Sequence, residues 1–303
     1  MYYKSIMIYR SKAINRERKP IMKKRLFTLT ALTMLLLVGC SGGAKPANDA
    51  ANNANNANNA NNANNAKQEA AGELDKSKTY VMGMDDTFAP MGFRDEKGNI
   101  VGFDVDLAQK AAEEMGIKIE CQPIDWTVKE SELESGNVDF LWNGFSITPE
   151  RQKKLLFSDP YMDNRQIIIT MKDSPVNSKA DLAGKRITVQ GESSALEAVM
   201  KDEAFVKTLD EPPVEYATNN ECFKDIEAKR CDAIVVDEVL ARYYMKQNGE
   251  ENYKVLDDNF GEEQFAVGMR KDDVALQEAL NKALKTLKDN GTYDEIYSKY
   301  FAD

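Results

Sequence analysis

The chain has 303 residues, of which 50 are acidic and 40 basic, giving a formal charge of −10; it has four cysteines and no histidine. Without histidine, neither a Ser-His-Asp nor a Cys-His nucleophile can be assembled, and a histidine pH switch is excluded. The cysteines at 40, 121, 222 and 231 form no CxxC zinc knuckle, and the acidic balance argues against nucleic acid, whose partners carry a basic field.

The charge is unevenly spread. Residues 1–39 hold nine basic side chains and one acid, Glu17, so that the remainder carries −18 against −10 for the whole. Lys23-Lys24-Arg25 runs into the apolar stretch Leu26 to Val38, which is the layout of a secretory signal and too short for an ordinary membrane span. Met22 onward is already a complete signal, so Met1 and Met22 are both open as the start. Leu37-Val38-Gly39-Cys40 resembles the lipobox of bacterial lipoproteins. That resemblance implies cleavage after residue 39, acylation of Cys40 and a lipid-anchored protein on the outer side of the cell membrane. Residues 40–77 read as a flexible tether, because Ala-Asn-Asn repeats from Ala51 to Ala66 offer no apolar face to bury.

From about residue 78 strands and helices alternate. Strands are predicted at Tyr80–Met84, Ile117–Cys121, Val138–Trp142, Arg165–Met171, Lys185–Gln190, Val214–Tyr216, Ala233–Val236, Tyr253–Leu256 and Gln264–Arg270. Helices are predicted from Asp104, as cap, to Met115, and over Val128–Glu134, Ser194–Phe205, Asn219–Lys229, Glu238–Asn248, Val274–Asn290 and Tyr293–Tyr300. A further one starts at Thr148-Pro149, with Thr as N-cap and Pro at the first helical position. Repeated βαβ units imply α/β sheets covered on both faces, with ligands bound beyond the carboxyl ends of strands. Cys121, Cys222 and Cys231 lie in this part. Cys222 and Cys231 could pair in an exported protein, leaving at least one thiol free.

Six motifs stand in a fixed order: GFDVDL (Gly102–Leu107), WNGFSITPERQ (Trp142–Gln152), LFSDPY (Leu156–Tyr161), DLAGK (Asp181–Lys185), QGESS (Gln190–Ser194) and CDAIVVDE (Cys231–Glu238). Together they resemble the polar amino-acid solute-binding proteins of ABC importers, over Tyr80 to Phe301. The resemblance implies an α/β, two-lobed periplasmic-binding-protein-like fold of type II, a hinged trap that closes over its ligand. The first lobe would span 78–163 and 265–303 and the second 164–264, with hinges near Asp163–Gln166 and Glu262–Phe265. It also implies an ABC permease and its ATPase subunits as partners, with no enzymatic reaction, no cofactor and no metal. The alternatives are an enzyme on the same fold, such as a cyclohexadienyl dehydratase, and an amino-acid-sensing surface lipoprotein.

The residues suit a free amino acid. Arg151 offers a guanidinium fork to a carboxylate. Gly191, Ser193 and Ser194 lie at a helix start, where backbone N–H groups face an anion. By the resemblance, Asp237 would hold the ammonium with the Ser146 hydroxyl and the Asn143 or Gly144 carbonyl. Phe88 and Trp126 would sandwich the ligand's aliphatic stem, although both also suit a plain core. Asp85 would read the polar end of the side chain. Glu192 stands where the family usually has a small Thr. Two acids in one pocket favour a basic side chain or glutamine.

Overall fold

The computed structural model describes residues 73–302. The predicted leader, Cys40 and residues 41–72 of the predicted tether lie outside them. Strand β1 (Thr79–Met84) is followed by β2 (Thr87–Phe88), β3 (Gly92–Arg94) and β4 (Ile100–Val101), then α1 (Phe103–Met115) and β5 (Lys118–Pro123). A 3-10 turn at Trp126–Val128 precedes α2 (Lys129–Glu134), β6 (Phe140–Leu141), α3 (Pro149–Lys154) and β7 (Leu156–Phe157). The chain continues through β8 (Met162–Met171), β9 (Ile187–Gln190), α4 (Ser194–Lys201), α5 (Glu203–Val206), β10 (Val214–Tyr216), α6 (Asn219–Glu227), β11 (Ala233–Asp237) and α7 (Glu238–Asn248). It ends with β12 (Tyr253–Phe265), β13 (Gly268–Met269), α8 (Val274–Asp289) and α9 (Thr292–Phe301).

Two five-stranded sheets define two α/β lobes. The first has the order β5-β1-β6-β13-β7 and the second β10-β9-β11-β8-β12. Both are mixed rather than parallel throughout. β1 runs parallel to β5 and β6, whereas β13 is antiparallel to its neighbours. In the second sheet β9 is parallel to β10 and β11, and β8 is antiparallel to β11 and β12. The antiparallel members arise where the chain crosses between lobes. Asp163 pairs with Gln264 and Met162 with Phe265, so the outgoing and returning segments lie side by side.

Period-two burial explains why the second sheet is covered on both faces. Ile167 and Ile169 pack toward one side with Ile234, Val236, Phe223 and Leu240. Ile168 points the other way, with Ala233, Val235, Val189 and Val199. In the first lobe α1, α8 and α9 cover one face through Leu107, Ala111, Leu280, Leu284 and Ile296, and Trp126, Leu133, Phe145 and Phe157 fill the other.

Several elements differ from the sequence expectation. The predicted helix over 194–205 breaks at Asp202, whose carboxylate caps the next turn at Phe205 N–H. The strands predicted at Tyr253–Leu256 and Gln264–Arg270 become one long strand, β12, which passes two irregularities near Asn259, and a separate short one, β13. Cys222 and Cys231 are buried free thiols; burial pushes Cys222 up to about 12.

Asp104 does not cap α1. The N-cap is Gly102, at φ +146, where a Cβ would stand 2.3 Å from the Met91 carbonyl oxygen. Asp104 instead turns inward, fully buried, and accepts from Gly144 N–H at 2.7 Å and Tyr161 O–H at 3.0 Å. It thereby fixes the turn that follows β6. Burial raises its carboxyl to about 7, against about 3.9 in an unfolded chain. Between those values the folded state holds the extra proton, so this group's contribution to stability falls as pH rises. Urea unfolding at pH 5 and pH 8 should therefore show wild type losing about 3 kcal/mol more than Asp104→Asn over that interval. An equal loss in both proteins would refute the burial argument.

Candidate functional site

Of the residues singled out from sequence, Asp85, Ser146, Arg151 and Ser194 make contacts across the seam between the two sheets. Thr148 caps α3 by accepting from Arg151 N–H at 3.2 Å, and Pro149 occupies the first turn. This short helix aims Arg151 into the seam, where it is 6% exposed. Its guanidinium donates to the Ser146 carbonyl at 3.0 Å and to the Glu192 carbonyl at 3.3 Å, and it stacks 4.4 Å from the Phe145 ring. Those partners are carbonyls and a ring, with no carboxylate bonded to it among the described residues. Burial lowers its pKa.

Acids gather at the other end of Ser146. Its hydroxyl donates to Glu263 at 2.7 Å and lies 3.0 Å from the Ser194 hydroxyl. Asn164 and Gln166, on β8, each donate both to Asp237 at 2.8 Å and to Glu263, at 2.7 and 2.8 Å. Asp237 occupies the N-cap position of α7 without capping it. Its carboxyl is raised well above the usual range by burial and, next, by the charge of Glu263. Glu263, Asn164 and Gln166 were missed as site residues. The only signal was their place in the crossing segments.

The helix start behaves as a divided unit. Ser193 caps α4 by accepting from Leu196 N–H and donates to the Gln190 carbonyl, so its hydroxyl is engaged locally. Ser194 faces the acid pair, and Gln166 also donates to it at 3.2 Å. The sequence pairs Glu192 with Asp85 as acids of one pocket. Its side chain is exposed, and what it turns inward is its carbonyl, in a left-handed conformation at φ +53. Gly191 is buried, with room for a Cβ only 3.2 Å from the Glu215 carboxylate.

Asp85 lies at the end of β1 and is buried. It accepts from both the backbone and hydroxyl of Thr87 and, from the second lobe, from Gln190 at 2.9 Å. Gln190 is itself oriented by Asn219 at 2.9 Å. Burial raises the Asp85 carboxyl against the lowering effect of those bonds. Asn143 accepts from Asp85 N–H at 2.6 Å. Gly144 adopts φ +56, and a Cβ there would stand 2.9 Å from the Phe88 ring, so the close approach of backbone to aromatic requires glycine. Phe88 is buried in the first-lobe core. Trp126 meets Phe145 edge to face at 5.7 Å. A cleft of about 520 Å³ opens beside Ser194, Gln166 and Glu263, with Ile147 and Thr148 on its first-lobe wall. Among the described residues no cluster of acids and cysteines is arranged to hold a metal ion.

This geometry sits in a chain with clear relatives. The arginine-binding extracellular protein ArtP of Bacillus subtilis is 34% identical over 234 residues, covering 76% of this chain and 89% of that protein. The lysine/arginine/ornithine-binding periplasmic protein of Escherichia coli K12 is 34% identical over 231 residues, 74% of this chain and 88% of that one. Among solved structures, an ABC uptake transporter substrate binding protein from Streptococcus pneumoniae with bound histidine superposes with a TM-score of 0.73 at 37% identity, covering 75% of this chain and 94% of that chain. Residues 80–303 match a family model that spans every element of both sheets except the first residue of β1, and by that match the chain belongs to the bacterial extracellular solute-binding proteins, family 3.

Proposed function

We propose that the seam between the lobes captures a free amino acid, preferentially one with a basic side chain, and that the chain delivers it to an ABC importer permease driven by its ATPase subunits. One observation carries this reading. Ser146 meets a buried guanidinium at its carbonyl and Glu263 at its hydroxyl, and Glu263 shares the amides of Asn164 and Gln166 with Asp237. A cation and an acid pair flanking one residue suit the carboxylate and ammonium of an α-amino acid. Arg151 would take the carboxylate and Asp237, with Ser146, the ammonium. Asn143 Nδ2 and Gln166 Oε1, buried without a hydrogen-bond partner among the described residues, offer one further donor and one further acceptor. Asp85, held by Gln190, would read the far end of the side chain, and its acidity favours a cation there. The relatives named for arginine and for lysine, arginine and ornithine support the same preference.

The paired crossing segments, Met162–Arg165 against Glu262–Phe265, would serve as the hinge, because few residues need to absorb the motion. On this reading the first lobe comprises 78–163 and 265–303 and the second 164–264. Upstream, Cys40 would carry the lipid anchor and residues 40–77 the tether that holds the receptor off the membrane.

A thermal-shift panel of all twenty amino acids on residues 73–303 tests the class. A ligand at about a hundred times its Kd should stabilise by roughly 2.7 kcal/mol, and silence from all twenty would sink the reading. For the amino acid that responds, Arg151→Ala should weaken binding by roughly 2–5 kcal/mol, with Arg151→Lys recovering only part because it lacks the fork.

Asp237→Asn should separate stability from binding. Burial and Glu263 already favour the neutral carboxyl, so the amide should match or exceed wild-type stability at pH 7 while losing at least tenfold in affinity, roughly 1.4 kcal/mol or more. Undiminished affinity would remove Asp237 from the ammonium site. In cells, Cys40→Ala should shift the protein from the membrane fraction to the medium or the periplasm, and an unchanged membrane fraction would exclude acylation at Cys40.

A further inference from the structure

The amino-acid reading gives no role to a lysine buried at the seam. Lys129, the first residue of α2, is 2% exposed. Its amine donates to the Glu192 carbonyl at 2.7 Å, across the seam, and to the Trp126 carbonyl at 3.3 Å within its own lobe. It also lies 5.4 Å from the centre of the Trp126 ring. The Glu192 oxygen is thus shared with Arg151, so two cations of the first lobe converge on one carbonyl of the second. The backbone is turned to allow this: Glu192 takes a left-handed φ of +53 although it carries a side chain, which is uncommon outside glycine and asparagine. The approach is close as well, since a Cβ on neighbouring Gly191 would stand 3.6 Å from Thr127 of the first lobe.

We propose that Lys129 is a positioning residue for ligand capture: it ties the Glu192 turn of the second lobe to the first, beside Arg151. The proposal rests on reading the seam as the ligand site. When the lobes part, the 2.7 Å bond has to break and the amine returns to water. When they meet, the amine is buried against carbonyls. The charges that face it are Glu130 on its own helix, Arg151 and Lys154 on α3, and Glu192 itself. Glu130 is occupied by Lys154 at 2.8 Å, and the Glu192 side chain is exposed. Neither acid bonds the ammonium, and burial, with Arg151 next, lowers Lys129 to about 7 against their opposing pull. A lysine in water titrates near 10.4. Between those limits closure releases a proton, so the tie strengthens as pH rises, by up to tenfold per pH unit.

The test uses L-arginine as probe, with wild type and Lys129→Met compared at pH 6.5, 7.5 and 8.5. The methionine keeps the bulk of the side chain and loses both bonds. We expect the variant to release arginine at least tenfold faster, and the ratio of wild-type to variant affinity to grow with pH. Equal release rates and equal affinities at all three values overturn the tie. A second measurement follows wild-type Lys129 itself, by reductive methylation and peptide mass spectrometry, against exposed Lys207. With saturating arginine, Lys129 should be labelled at least tenfold more slowly, and labelling at the rate of Lys207 also overturns the tie. If wild type fails to bind arginine but binds another amino acid of the panel, that amino acid replaces it. If it binds none, the ligand reading has failed, and the tie is judged by the same labelling of the chain alone, where equal rates overturn it.

Discussion

A charge removed from water must find compensation, and that constraint organises the seam between the two lobes. The first lobe buries two basic groups there, Arg151 and Lys129, and bonds both to the Glu192 carbonyl. The second lobe and the crossing strands place an acid pair there, buried Asp237 and half-buried Glu263, held by the amides of Asn164 and Gln166. Carbonyls and amides orient these groups without neutralising them. On the proposed reading, the two ends of a zwitterion would complete both halves at once.

Backbone geometry is spent on holding those groups still. Asp104, deep in the first lobe, pins Gly144 N–H, and Gly144 brings the turn against Phe88. Asn219 orients Gln190, and Gln190 reaches across to Asp85. Gly144 and Gln190 are thus positioned by polar groups of their own lobes, Asp104 and Asn219, which stiffens the arrangement within a lobe. Across the lobes only a few bonds need to change. On the proposed hinge, that division leaves rigid halves and a short list of contacts that would depend on closure.

Much of this was legible in the sequence because it is written in local signals. The Thr148-Pro149 start announces α3, and the apolar run 233–236 announces a strand buried on both faces. The six ordered motifs announced the two-lobed α/β fold, which the family match and the solved relative bear out. What stayed hidden depends on partners distant in sequence. Gln166 reads as an ordinary polar strand residue and Glu263 as part of a hinge segment until β8 and β12 lie side by side. Lys129 reads as a surface helix lysine until the turn at Glu192 arrives over it. Asp104 sits where a helix cap belongs, and only the tertiary demand of Gly144 and Tyr161 turns it inward. Strand β12 was split because Asp257, Asp258 and Gly261 interrupt its apolar pattern, while its long antiparallel pairing with β8 carries it through.

The order of strands in the first sheet also sets an order of assembly. β13 stands between β6 and β7 in that sheet, yet it follows the whole second lobe in the chain. Every strand of the second sheet has been made before residue 268 emerges. During synthesis the second lobe can therefore complete its sheet while the first still has a gap at an interior position, to be filled by a two-residue strand and covered by α8 and α9. A nascent chain stopped before Gly268 would hold one finished sheet and one open one, its unpaired edges at β6 and β7 free to join the wrong partner. The half that supplies the guanidinium is the last to become whole.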